Sequence, residues 1–226
     1  MRVSAVILAA GRGRRMRRDA NKVLLSIAGA PLLVHTFRAF AASPRVDEIV
    51  LVVGPGEEAQ VRGLLPPFPR TTAIVPGGGM RRDSAIAGVE AARGDIVLIH
   101  DGARPFPSLD LIERVIDGAV EHGACVPILP VVDTLRRSPA EGSLCAEDVD
   151  RRDLVRIQTP QGFRRSLIRR ALPLCPADAP DDAAAVFALG EAVWPVAGEP
   201  ANLKVTVPGD LPLAEAIAGV RGADLP

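Results

Sequence analysis

The sequence predicts an α/β protein on a doubly wound, mostly parallel sheet, and three observations point that way. Short runs rich in Val and Ile, bounded by Gly, Pro or Asp, alternate with longer stretches of helical spacing over the first 130 residues. Those runs are continuously apolar rather than alternating, as expected of strands covered on both faces. The alternation then breaks in a polar stretch at 133–153, which predicts an arm protruding from the sheet.

Taken in order, Val3–Leu8, Glu48–Val53, Thr72–Val75, Asp95–His100 and Ala124–Leu129 read as buried strands. Pro31–Ala42, Glu57–Leu65, Asp83–Ala92 and Leu109–His122 have the length and spacing of helices. Pro31 suits a first helical turn, and Asp83 and Ser108 suit N-terminal caps. Within 133–153, two short polar strands joined by the turn Ser138-Pro139-Ala140-Glu141-Gly142 fit better than a core helix. Such a hairpin has too little apolar surface to stand alone, so it should pack on something else. Strand and helix then resume, closing with a strand at Leu203–Val207 and a helix from Asp210, as its cap, to about Val220. The proline-rich stretches Leu64–Arg70 and Leu172–Pro180 read as surface loops rather than linkers, so residues 1–226 form a single domain with an arm.

Composition narrows the function classes. The chain has 226 residues, 48% of them apolar, and its formal net charge is zero. That balance gives no general attraction to nucleic acid or to a membrane surface. No apolar run of spanning length and no signal-peptide pattern is present. Cys125, Cys145 and Cys175 are odd in number and widely spaced, which argues against a disulfide framework or structural zinc and for a reducing cytoplasm. No G-x-S-x-G elbow accompanies His35, His100 and His122, so a serine hydrolase finds no support. Of 27 basic side chains only Lys22 and Lys204 are lysine. An ammonium is a compact point charge and a guanidinium a wide fork, so a lysine kept in such a background suits a crowded phosphate.

Ligands of parallel sheets bind beyond the carboxyl ends of the strands, so the turns after Leu8, Val75 and His100 are the places to look. The first turn, Leu8-Ala9-Ala10-Gly11-Arg12-Gly13-Arg14-Arg15-Met16, has small residues and glycines that let backbone N–H groups approach an anion. Met16 stands where a dinucleotide fingerprint needs its third glycine, and no Gly-Lys-Ser/Thr follows, so it is a phosphate cradle of another kind or a solvated basic turn. The second, Pro76-Gly77-Gly78-Gly79-Met80-Arg81-Arg82-Asp83-Ser84, allows close approach of a ring or sugar, or serves as a hinge. The third, Ile99-His100-Asp101-Gly102-Ala103-Arg104-Pro105, sets a carboxylate at the mouth of the sheet. Asp101 either holds Mg²⁺ together with phosphate oxygens and water or pairs with Arg104.

With Asn21-Lys22, Val131-x-Asp133-Thr134, Gln158-Thr159-Pro160-Gln161 and Asn202-x-Lys204-Val205-Thr206 in this order, the set resembles the 2-C-methyl-D-erythritol 4-phosphate cytidylyltransferases. The resemblance runs from residue 5 to about 207. It implies a Rossmann-like nucleotidyltransferase fold and transfer of CMP from CTP to the polyol phosphate, with Mg²⁺ bound at the triphosphate. It also implies CTP contacts from Ala9, Ala10, Gly11, Gly13, Gly78, Ser84, Asp101 and Gly102, and transition-state stabilisation by Arg15 and Lys22. Arg104, Thr134, Arg151, Thr159 and Lys204 match positions around the polyol phosphate, with Arg151 and Lys204 orienting its phosphate. The arm at 133–153 is implied to clasp a second copy in a homodimer. Gly79-Met80 and Pro180-Asp181-Asp182-Ala183-Ala184 depart from the usual pattern, which leaves a relative acting on another polyol phosphate, such as ribitol 5-phosphate, as the alternative.

Overall fold

In the computed structural model, which describes residues 1–11, 21–137, 142, 148–176 and 178–223, the apolar runs form the centre of one sheet. The first strand, β1 (Val3–Leu8), shows why. Val3, Ala5 and Ile7 enter the core on one face and Val6 the core on the other, so both faces must be covered. A short 3-10 turn at Lys22–Leu24 and the ribbon of β2 (Ser26–Ile27) with β3 (Ala30–Pro31) lead into α1 (Leu32–Ala42). Then come β4 (Glu48–Val53), α2 (Glu58–Leu64), β5 (Thr71–Pro76), α3 (Arg81–Ala91), β6 (Ile96–Asp101), α4 (Leu109–His122) and β7 (Ala124–Pro130). The arm is an antiparallel pair, β8 (Leu135–Arg136) with β9 (Asp148–Val149), in register Leu135 to Val149. β10 (Val155–Ile157), β11 (Gln161–Arg164), α5 (Arg165–Ala171), α6 (Ala183–Ala188), β12 (Trp194–Ala197) and α7 (Asp210–Ala223) complete the chain.

Parallel pairing joins β5, β4, β1 and β6 in that order. β11 then runs antiparallel between β6 and β7. Ile128 pairs with both Ile157 of β10 and Ala197 of β12, and Cys125 with both Gly162 of β11 and Trp194 of β12. β7 has only two edges, so β10 and β11 share one and β12 takes the other. The sheet is thus mostly parallel, as expected, with two antiparallel segments that carry the chain back through its middle.

One face packs on α1, α2 and α4 through Leu33, Phe37, Phe40, Val61, Leu111 and Val115. The opposite face packs on α3, α5 and α6 through Ala85, Val89, Ile168 and Val186. A smaller third core joins Ala214 and Ala218 of α7 to Ile27, Leu32, Phe106 and Val205. Phe40 is fully buried, so truncating it to Ala would cost about 3–5 kcal/mol.

Three local expectations differ, the first at Pro31, which ends β3 immediately before α1 rather than forming its first turn. Asp83 is not the cap of α3: the helix begins two residues earlier, Met80 precedes it, and the Asp83 carboxylate accepts the Met80 N–H at 3.2 Å from inside the first turn. The stretch 203–207 is not a strand. Its Val205 N–H donates to Ala103 O, while Thr206 and Val207 give their N–H groups to the Asp210 carboxylate, so no ladder forms. Asp210 accordingly serves this preceding strap as well as opening α7. Ser108 caps α4 as expected, accepting the Leu111 N–H at 3.0 Å.

Candidate active site

The three turns singled out in the sequence emerge side by side because their strands end abreast. Leu8 pairs with Asp101, Gly102 N–H donates to Leu8 O at 2.9 Å, and Ala9 N–H donates to Val52 O at 2.7 Å. Gly77 N–H donates to Val53 O at 2.7 Å, which draws the glycine turn alongside. The approach is close enough to require glycine: a Cβ on Gly77 would lie 2.5 Å from that of Ala10, and one on Gly78 would lie 2.3 Å from that of Asp83. Ser84 Oγ accepts the Gly78 N–H at 3.2 Å and donates to Met80 O, so the loop is tied to α3. Ala9, Ala10, Gly11, Gly78, Ser84, Asp101 and Gly102 therefore share one rim. Gly13 and Arg15 lie outside the described residues.

Asp101 is the electrostatic centre of this rim. Lys204 Nζ lies 2.7 Å from its Oδ2, Arg104 Nε 3.7 Å from the same oxygen and Arg81 Nη2 3.5 Å from Oδ1. Burial alone would push this carboxyl up. Lys204, Arg81 and Arg104 outweigh it and hold the group well below the usual carboxylate range. Both readings of Asp101 left open by the sequence thus meet a third fact: its nearest partner is a lysine a hundred residues away, ahead of Arg104. Arg104 in turn donates to Asn202 O at 2.8 Å.

Behind Asp101 runs a neutral relay. His100 Nε2 faces Arg104 O at 2.9 Å and must carry the proton, so Nδ1 accepts from the Thr159 hydroxyl at 3.1 Å. That hydroxyl accepts the Asp101 N–H at 3.1 Å. Burial pushes the imidazole down to about 4, so it stays uncharged and both ring nitrogens are occupied. Thr159 is itself buried, and its hydroxyl holds the backbone of Asp101 from within the sheet.

Lys22 reaches the same rim from the other side. Asn21 donates to Ala9 O at 2.7 Å and to Glu57 Oε2 at 2.9 Å, which fixes the start of the Lys22–Leu24 turn against the first loop. Lys22 Nζ then donates to Val205 O at 3.0 Å. Both lysines of the chain consequently meet at residues 202–206, a strap held by Asp210 at one end and by Asn202 at the other. Asn202 Nδ2 donates to Thr159 O at 2.7 Å, and Gln158 brackets Glu199, donating to its O and accepting from its N.

Thr134 and Arg151 stand apart. Both sit at the exposed foot of the arm, where Arg151 donates to Val132 O. Sequence reasoning passed over Arg81 and Asp182, a two-toothed ion pair at 2.7 and 2.8 Å, with Asp182 1% exposed. Arg81 belonged to a motif that was noticed, but with 25 arginines in the chain it carried no compositional signal. Among the described residues no three of His, Cys, Asp and Glu gather as a metal site. Asp101 offers one carboxylate, already faced by three cationic groups. A divalent cation fits here only in the company of an anion that supplies most of its ligands.

With this geometry in place, the likeness to known proteins is specific. The family model described as IspD, 2-C-methyl-D-erythritol 4-phosphate cytidylyltransferase, matches residues 3–219. The chain belongs to this family. The enzyme of that name from Geobacillus kaustophilus is 40% identical, with 99% of this chain and all of the relative aligned. That from Streptomyces coelicolor is 41% identical over 97% of this chain and 86% of the relative. The crystal structure of the Thermus thermophilus enzyme superposes with a TM-score of 0.82 at 39% identity, covering 97% of this chain and 100% of that one. The order of strands in this sheet explains why the first-loop and glycine-turn motifs, far apart in sequence, converge on one rim.

Proposed function

We propose that this chain transfers CMP from CTP to 2-C-methyl-D-erythritol 4-phosphate, releasing pyrophosphate and 4-diphosphocytidyl-2-C-methyl-D-erythritol. Family membership over almost the whole chain carries the reading, and the gathering of Lys22, Arg104, Lys204 and Asp101 at the strand ends supports it. The substrate phosphate attacks the α-phosphorus in line and pyrophosphate departs. Nucleophile and electrophile are both anions, so repulsion rather than proton transfer is the main obstacle. A phosphate monoester is already largely ionised near neutral pH and needs no general base. The neutral, fully engaged His100 agrees with that. Catalysis then rests on positioning and on cations placed where charge gathers.

In this reading Ala9, Ala10, Gly11, Gly13, Gly78, Ser84 and Gly102 line the CTP pocket. Lys22 and Arg15 face the α-phosphate and leaving group, while Lys204, Arg104 and Arg151 hold the attacking phosphate. Asp101 would hold Mg²⁺ carried on the triphosphate, and the cation would offset charge there. The arm pairs with that of a second copy, which brings Thr134 and Arg151 toward the partner's pocket. Among the described residues no helix is long and apolar enough to cross a membrane, and Cys125 and Cys175 are buried free thiols, in keeping with a cytoplasmic enzyme.

Phosphorus NMR on a mixture of CTP, 2-C-methyl-D-erythritol 4-phosphate and enzyme tests the reading. Pyrophosphate and a new diphosphate diester should appear together. With CTP made chiral at the α-phosphorus by sulfur, the product should show inversion. Retention would mean a covalent enzyme intermediate and would overturn the single in-line step.

A further inference from the structure

The pair Arg81–Asp182 has no part in the mechanism above, yet it sits beside it. Asp182 opens α6, with its side chain 1% exposed, and Arg81 opens α3 directly after the glycine turn. The guanidinium spends Nη1 and Nη2 on the two oxygens of Asp182, at 2.8 and 2.7 Å, and Nη2 also faces Asp101 Oδ1 at 3.5 Å. Asp182 is fixed in its turn, because Gln161 Oε1 accepts the N–H groups of Asp182 and Ala183 at 3.1 and 3.0 Å. Gln161 is fully buried and its Nε2 donates to Asp181.

Removing a carboxylate from water is costly, and a buried ion pair adds little stability over an apolar contact of the same size. Joining α3 to α6 is therefore a weak reason for this arrangement. What an apolar contact could not do is hold a planar cation at a fixed angle. The fork of Arg81, gripped along one edge by Asp182, can present a charged N–H to Asp101 in only one orientation. Lys204 and Arg104 both approach the other oxygen, Oδ2. Among the described residues Arg81 is thus the cation at Oδ1, and it fixes the second oxygen of a carboxylate whose first is held by Lys204 and Arg104.

We propose that Arg81, anchored by Asp182, is a positioning residue that sets the orientation of Asp101 and through it the nucleotide half of the site. This rests on the reading above, in which Asp101 serves the CTP side. The line of control runs Gln161 to Asp182 to Arg81 to Asp101, from the middle of the sheet to its rim.

The test compares CTP affinity, by calorimetric titration with Mg²⁺ and no second substrate, in wild type, Asp101→Asn and the neutral double variant Arg81→Gln/Asp182→Asn. The double variant keeps hydrogen-bonding groups and leaves no buried charge unpaired. It should unfold within a few degrees of wild type yet bind CTP about tenfold more weakly, the scale of one charge-assisted hydrogen bond. Its KM for the polyol phosphate should change far less than its KM for CTP. Unchanged CTP affinity in the double variant, with Asp101→Asn weakened, would overturn the inference and leave the reading of Asp101 standing. Unchanged affinity in Asp101→Asn as well would overturn both. Should the double variant fail to fold, Arg81→Lys serves the same comparison. It keeps the charge but loses the fork, and wild-type CTP affinity there would likewise overturn the proposal.

Discussion

Lys22 and Lys204 are the only lysines among 27 basic residues, and they converge on one five-residue strap. Their rarity was legible in the sequence because chemistry distinguishes an ammonium from a guanidinium. Lys22→Arg should therefore lower kcat about 10²-fold with little change in melting temperature, since the lost contact acts mainly in the transition state. Wild-type turnover in that variant would show the scarcity of lysine to be accidental. His100 carries a second prediction. Its folded-state pKa is depressed, so its contribution is fully present above the unfolded value near 6.5 and is lost as pH falls toward about 4. Across that window the free energy of unfolding should drop by about 3 kcal/mol from this group alone. Chemical denaturation at pH 6.5 and pH 4 should show that slope in wild type and not in His100→Asn; equal slopes would mean that the imidazole is not buried neutral. None of this relay was legible beforehand, because the partners of His100 arise from a backbone carbonyl and from Thr159, 59 residues away.

Legibility among the elements followed the source of their stability. β1, β4 and α4 were read from the sequence to the residue, since uninterrupted burial or a clear apolar stripe with a Ser cap decides them locally. The strap at 203–207 misled because its Val-Thr-Val composition suits a strand, while its N–H groups are taken by Asp210 and Ala103 instead of a neighbouring strand. α3 starts early because Arg81 is drawn into its first turn beside Asp182, a partner no local pattern announces. The arm was legible as an antiparallel pair from its polar composition, and β8 pairs with β9 as expected, while the expected turn at 138–141 lies outside the described residues. A two-residue ladder with an exposed foot has little to hold it in isolation. If two arms clasp across a two-fold axis, replacing residues 136–149 with a short Gly-Ser turn should give a folded monomer with little activity. Light scattering that finds wild type monomeric, or full activity in the shortened chain, would refute the clasp.

At the scale of the whole molecule, one sheet does two jobs. Its parallel half ends in the three loops that form the proposed nucleotide rim. Its antiparallel segments, β10 and β11, bring Gln158, Thr159 and Gln161 beneath that rim and so anchor the strap that carries Lys204. The parallel half was readable because β1, β4 and β6 are buried runs and each parallel strand, the half-buried β5 included, is followed by its own helix. The return path was not, because β10 is exposed and only three residues long, and β12 opens with an exposed Trp194 followed by proline. The departure at Gly79-Met80 adjoins Arg81 and that at Pro180–Ala184 contains Asp182, so both lie at the pair proposed to serve the nucleotide half of the site. The most direct test of the account is pyrophosphate release from CTP, followed with 2-C-methyl-D-erythritol 4-phosphate and with ribitol 5-phosphate in parallel. The account predicts turnover with the first, at a kcat/KM at least about a hundredfold above the second, a gap of the size that matched and mismatched pocket contacts create. Turnover with ribitol 5-phosphate and none with the methylerythritol phosphate would contradict it.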